Sequence, residues 1–321
     1  MRKTLCLLIA PLLLALPAAA WNGVGHRTVA ELAWREMDAA ERRSASDLLR
    51  QHPHYQQVLV AEVPAGVDTN EWAFLTAAVW LDLARPAKPG EPAKPRLITQ
   101  YDIYPHAIGY PFIRKDDRKR VSLDQFVIAK PNAEMVLSSA LSTLRRRKAS
   151  AHDRAVSLGV VLHLYGDLHQ PLHTANLVTK AKPKGHGLGS SFLVLDQNRN
   201  QTSLHTFWDA LPGSDLSYAS VMALADELAA APQLQRARLR EYSQHRTIHS
   251  WVQESHRAAV DFACAEDRVR FADAAAVKSG KIAVSDIPAL TPEYVREAQI
   301  IMRRRLALAG WRLARTLKSV W

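Results

Sequence analysis

The 321-residue chain carries only two cysteines, Cys6 and Cys264. Cys6 falls in a leader-like opening stretch, so the processed chain would keep Cys264 alone and form no internal disulfide; its stability must come from packing, with or without bound metal. Strand-like alternation of apolar and polar residues is also scarce. No internal repeat is present, which excludes a solenoid, and no convincing interdomain linker interrupts the chain. Beyond the first twenty residues no apolar run is long enough to span a bilayer, so stable membrane insertion is not expected. Acidic residues are outnumbered, 31 against 42 Lys and Arg, for a net charge of +11. That balance suits a polyanionic partner, and equally a merely soluble basic surface.

What is present begins with Arg2 and Lys3, an apolar run from Leu5 to Leu16, and Pro17-Ala-Ala-Ala20. The apolar core is too short to cross a membrane, and Ala18 and Ala20 fit the small-x-small rule for cleavage before Trp21. Residues 1–20 are therefore expected to be a secretory signal peptide and 21–321 a single domain, periplasmic or secreted. Removing Arg2 and Lys3 takes the charge from +11 to +9. A monomer is the expected state.

Apolar residues recur at helical spacing in seven segments: Val29 to Met37, Trp72 to Leu83, Ala133 to Leu144, Ala155 to Leu168, Val221 to Leu228, His249 to Phe262 and Ile300 to Leu317. The fold class this predicts is all-α, one mostly helical domain with irregular loops. Three stretches read as surface loops: Pro-rich Arg85 to Pro95, charged Arg114 to Arg120, and Lys/Gly-rich Lys180 to Ser190.

The densest chemical signal is His163-Leu-Tyr-Gly-Asp167-Leu-His169-Gln-Pro171-Leu-His173. Residues four apart share a helix face, so His163 and Asp167 could bind one ion, and Pro171 should turn the chain so that His173 approaches from another side. His169 and His173 offer a competing pair, but Pro171 between them spoils a regular helical face, which makes His169 a supporting residue. His205 and Asp209 repeat the spacing. Either pair alone is equally consistent with helix capping or a hydrogen-bonded core. Cleavage before Trp21 would add another donor set: a free α-amino group, whose pKa of about 7.7 to 8.0 makes deprotonation by a metal inexpensive. With the Trp21 carbonyl it could chelate zinc, and His26 follows five residues on.

Taken together, Trp21-x4-His26, Trp80-Leu-Asp82, the lone His106, the His163 to His173 block and His205-x3-Asp209 resemble, in their order, the S1/P1 nuclease family. Glu254-Ser255 within Trp251 to Ser255, and Ala309-Gly-Trp-Arg-Leu-Ala314, extend the likeness over nearly the whole processed chain. The resemblance implies a helical fold of the phospholipase C and S1/P1 nuclease type with three zinc ions in a cleft. By it, Asp82, His106, His163 and Asp167 hold one ion; Trp21, His26 and Asp167 hold its neighbour; His173, His205 and Asp209 hold the third. It implies hydrolysis of single-stranded DNA or RNA, or of nucleotides, to 5′-phosphate products, with 3′-nucleotidase activity as a possible companion. Arg85 sits where the family carries a basic residue that neutralises phosphate charge, which puts Asp82, Arg85 and Asp167 at the catalytic centre. Zinc phospholipases C share the three-ion arrangement; the short Trp21 to His26 spacing and an aspartate as last ligand favour the nuclease. A zinc- or polyanion-binding protein without activity is a third reading.

Departures from the family pattern fall in the substrate pocket. Where relatives place an aromatic residue and an acidic one after the metal histidine, this chain has Ala107 and Gly109. The segment Gly185-His186-Gly187-Leu188-Gly189-Ser190 replaces a Gly-Asp-x-Gly-Gly-Asn pattern. Base stacking on an aromatic ring is worth roughly 1 to 3 kcal/mol, so its loss should weaken nucleotide binding or change what is bound. Tyr104, Tyr110 and Phe112 are candidate replacement rings, and His186 reads as a solvent-exposed loop histidine.

Overall fold

A computed structural model describes residues 21–85 and 101–321. The expected signal peptide, and all of the Pro-rich stretch except Arg85, lie outside the described residues. The fold is mostly helical. In chain order the main helices are α1 (Gly23–Glu36), α2 (Ala39–Leu49), α3 (Thr69–Ala77), α4 (Trp80–Leu83), α5 (Ala133–Arg145), α6 (Ala151–Asp167), α7 (Leu204–Ala210), α8 (Tyr218–Ala230), α9 (Ile248–Ala258) and α10 (Pro292–Leu317). Their starts carry the side chains that satisfy orphan N–H groups: Asn22 accepts from Gly25, Ser150 from Asp153, Ser203 from Thr206, and Thr291 from Tyr294 ahead of a proline at the first turn.

Helix α6 is the centre of the molecule. Every residue from Ala155 to Asp167 is buried, so its lack of a polar face fits a helix surrounded by others. Helices α5, α1 and α4 pack on it, and α10 crosses α1. The scarcity of alternation is matched by five strands of two to four residues among the described residues. β1 (Tyr110–Phe112) pairs in parallel with β2 (Ala175–Leu177), with Tyr110 opposite Ala175. β3 (Phe192–Leu195) lies between β4 (Gln201–Ser203) and β5 (Ala272–Asp273), antiparallel to both. The first pair clamps the chain after His106 to the chain after His173.

Three expectations are corrected. The Trp72 to Leu83 segment is two helices, broken at Ala78–Val79, and the Ala78 carbonyl at the break accepts a 2.8 Å hydrogen bond from His163 Nδ1. The His249 to Phe262 helix widens to π-helical turns after Ala258. In the charged loop, Lys115 and Arg118 to Arg120 are exposed, but Arg114 turns inward: its guanidinium donates to the Cys264 carbonyl at 2.8 and 3.0 Å and lies 4.6 Å from the Phe271 ring centroid.

A buried ionic knot ties α9 and α10 to the end of α6. Glu254 accepts from Arg305 at 2.6 Å and from Arg312 at 2.7 and 2.8 Å. Arg305 also donates to the His169 carbonyl, and Ser255 Oγ donates to the Leu168 carbonyl. Burial would raise the Glu254 carboxyl, but hydrogen bonds and charge from Arg312 and Arg305 outweigh it and hold it at about 2. Since that lies below the unfolded value of about 4.3, the contribution is present above about pH 4.3 and is lost as the pH falls toward 2. Glu254→Gln strands two buried guanidiniums and should cost about 3 to 5 kcal/mol at pH 7. Urea unfolding should show that difference narrowing as the pH falls below about 4.3 toward 2; an unchanged gap would remove Glu254 as its source.

Candidate metal centre

All eight side chains that the sequence nominated as ligands gather in three clusters. His26, His163 and Asp167 form one; Asp82, His106 and His163 a second; His173, His205 and Asp209 a third; within each, the donor atoms lie within 4.8 Å of one another. The third is the set the resemblance implied. The first two share His163 where the resemblance implied Asp167 as the shared residue, because the His26 ring stacks on that of His163 at 4.0 Å and 13°, so His163 reaches both. Trp21 offers no side-chain donor there; its indole is fully buried, and the next residue, Asn22, donates its N–H to the Asp209 carbonyl at 3.0 Å.

Local structure brings these groups together. His163 and Asp167 lie one turn apart on α6, and His205 and Asp209 one turn apart on α7. Gly166 lets α6 approach α1: a Cβ there would stand 2.6 Å from His26 Nδ1. Pro171 opens a short 3-10 turn that ends α6 and carries His173 inward. His173 and the His106 segment then grip each other, for His173 Nδ1 donates to the His106 carbonyl at 2.9 Å while Ile108 and Gly109 N–H groups donate to the His173 carbonyl.

Three histidines are oriented alike. Nδ1–H of His163, His173 and His205 points at the main-chain carbonyls of Ala78, His106 and Leu188, at 2.8, 2.9 and 2.6 Å. That tautomer leaves the Nε2 lone pair for an electrophile. Gln170 Nε2 donates to Asp209 Oδ1 at 2.7 Å and fixes that carboxylate. Arg85 lies 3.5 Å from Asp82 Oδ1 and lines the same cleft.

The donor set fits cations. Asp167 is wholly buried, and His163 Nε2 lies 3.1 Å from its Oδ2 but out of hydrogen-bonding alignment; neither Asp167 oxygen nor either His26 nitrogen has a hydrogen-bond partner. Buried polar atoms left this way are costly. Burial, with charge from neighbouring histidines, pushes His26 and His106 well below the usual imidazole range, and burial raises Asp167 to about 6 and Asp209 well above the carboxylate range. For His163, burial opposes the proton, but Asp167 and Asp82 outweigh it and raise its value. A cation amid carboxylates and neutral imidazoles satisfies all of these groups at once.

Two other histidines are placed differently. His169 stands outside the clusters: its Nδ1–H donates to the Tyr165 carbonyl and its Nε2 accepts from Arg312. It supports the turn that leads from Asp167, the last residue of α6, to His173. His186 is a correction, for it is only 5% exposed; Nδ1 bonds the Leu177 carbonyl and the ring lies 4.2 Å from Phe192, so the Gly-rich loop is anchored from within. Gln170 and the Leu188 carbonyl escaped the sequence reading. Gln170 was visible inside the histidine block, whereas no residue type marks a carbonyl.

Residues 21–321 match the S1/P1 nuclease family. The chain is also 24% identical over 336 residues to Nuclease S1 of Aspergillus oryzae, an alignment spanning 100% of this chain and 98% of the relative. The family match begins at Trp21, immediately before the first helix, and runs through every clustered ligand candidate to Trp321. The chain belongs to the S1/P1 nuclease family.

Proposed function

We propose that the protein is an exported, three-zinc phosphodiesterase that cleaves single-stranded DNA and RNA to 5′-phosphate products, with Trp21 as its processed amino terminus. The observation that carries this reading is the convergence of eight His and Asp side chains from across the sequence into three adjoining polar clusters beside a cleft, two of them wholly buried and the third partly so. In the assigned roles, Asp82, His106, His163 and Asp167 hold one ion, Trp21, His26 and Asp167 the next, and His173, His205 and Asp209 the third.

Zinc held there supplies charge stabilisation for phosphoryl oxygens and lowers the pKa of water toward neutrality. The protein's own groups do the rest. Asp167, reaching toward His26, His106, His163 and His173, fixes the spacing between clusters. Arg85, at the cleft wall, meets the negative charge of a phosphodiester bound against the clusters. The basic surface draws polyanions to the cleft. Nuclease S1 is the named activity of the full-length relative, and this agrees with nucleic acid as substrate.

The test is the zinc content of protein recovered from an exported fraction, its amino terminus, and the products from single-stranded DNA and RNA. About three zinc ions per chain, Trp21 first, and 5′-nucleotide release are expected. Stoichiometric zinc with no release would overturn the nuclease assignment, and no zinc on correctly processed protein would overturn the metal assignment.

A further inference from the structure

Beside the clusters lies a cleft of about 660 Å³, into which His106, His173, His205 and Arg85 all face. Much of the rest of its wall is apolar, with Ile103, Ala107, Ile108, Phe126, Val127 and Leu188, and the ring of Tyr104 lines it as well. Ile103 and Val127 stand 67% and 83% exposed. Among the lining residues Leu188 stands out, for its φ of +60° is a left-handed conformation rare for a non-glycine residue. Its N–H reaches Asn176 Oδ1 at 3.4 Å, and its carbonyl receives His205 Nδ1 at 2.6 Å.

This geometry couples two positions distant in sequence. A Cβ on Gly109, itself at φ +59°, would stand 2.8 Å from Leu188 Cδ2. With Leu188 in this rotamer, and with a φ at position 109 that L side chains rarely adopt, glycine is the residue that fits there, and glycine brings no carboxylate or amide to meet the edge of a base. Three of the polar groups on the lining, Asn176, Asp102 and Lys184, are poorly placed to take that role. Asn176 turns its carbonyl oxygen to the Leu188 N–H, and its amide is packed so closely on Gly185 that a Cβ there would lie 2.5 to 2.7 Å from it. Asp102 and Lys184 are exposed, where water competes for them.

We propose that this wall is a subsite for the organic substituent of the phosphodiester, filled by apolar contact instead of hydrogen bonds to a base edge, with Leu188 as its specificity-determining residue. The inference rests on the phosphodiesterase reading above and narrows its substrate class. The enzyme cleaves nucleic acid with little regard to base, and it hydrolyses phosphodiesters of aromatic alcohols by the same route.

The test compares bis(p-nitrophenyl) phosphate with methyl p-nitrophenyl phosphate. Water adds to phosphorus and one p-nitrophenol leaves in each case, so the two differ only in the retained substituent. Metal-loaded wild-type protein should favour the aryl diester by about tenfold or more in kcat/KM, and should cleave dinucleotides of the four bases within about threefold of one another. Leu188→Gly, which suits the positive φ, should lower the aryl-to-methyl ratio about five- to tenfold, while Leu188→Met should retain it. An unchanged ratio in Leu188→Gly, or base discrimination far above threefold in the wild type, overturns the subsite and leaves phosphodiesterase activity standing. No turnover of either diester or of the dinucleotides by metal-loaded wild-type protein overturns the phosphodiesterase reading, and the subsite with it.

Discussion

Asp167→Asn is expected to remove at least one zinc equivalent and to lower phosphodiesterase activity by on the order of 10⁴-fold, the equivalent of about 5 to 6 kcal/mol of transition-state stabilisation. The argument is geometric. Oδ2 of this one carboxylate lies 3.1 Å from His163 Nε2 and 3.2 Å from His106 Nδ1, while Oδ1 lies 3.5 Å from His26 Nε2 and 3.6 Å from His173 Nδ1. Together with His163 it is within reach of both overlapping clusters, and asparagine keeps its shape while losing the charge that would balance the cations held there. Stability should respond in opposite senses according to metal. In chelator the wild-type carboxylate is a buried charge with no cation, so Asp167→Asn should be as stable as the wild type or more so. With zinc the order should reverse, because only the wild type gains the full binding free energy. Thermal unfolding with and without zinc, beside metal analysis, reads both effects. A fully zinc-loaded and active variant would sink the bridging role.

How much of this was legible beforehand depends on how far each interaction reaches along the chain. The helices, α6 among them, announced themselves through apolar residues at helical spacing, because such spacing is a property of neighbours. The ligand candidates were legible through order and type. What stayed hidden is made by long-range contacts. The break between α3 and α4 adjoins the Ala78 carbonyl that His163 binds, 85 residues away. The Arg305 and Arg312 grip on Glu254 spans more than fifty positions, though Glu254-Ser255 and the Ala309 to Ala314 segment had already stood out. His186 looked like a loop histidine because its glycine neighbours describe backbone freedom and say nothing about the carbonyl of Leu177 or the ring of Phe192 beneath it. The fit between Gly109 and Leu188 could be seen only in three dimensions; in sequence they are two unrelated departures.

Adding a single residue before Trp21 in the processed protein is expected to lower activity by on the order of 10³-fold, through loss of one zinc site. The extension converts an amine that can give up its proton near pH 8 into an amide nitrogen, which is not a ligand at neutral pH. The surroundings leave little slack to compensate. Trp21 is fully buried; Asn22 caps α1, binds the Asp209 carbonyl through its N–H at 3.0 Å, and reaches the Gly213 carbonyl with its side chain. The start of the domain is thereby tied to the helix that carries His205 and Asp209, and His26 follows within the first turn of α1. Under this reading the unprocessed precursor is inactive, and cytoplasmic nucleic acid is spared until export. The extended form should fold, since the caps and the α1 core are untouched, and should bind about one zinc fewer than the form beginning at Trp21. Circular dichroism, metal analysis and nucleotide release on the two forms separate the outcomes: a folded extended protein with full zinc and full activity would refute the amino-terminal ligand, while a folded, zinc-deficient and inactive one would establish that export processing completes the site.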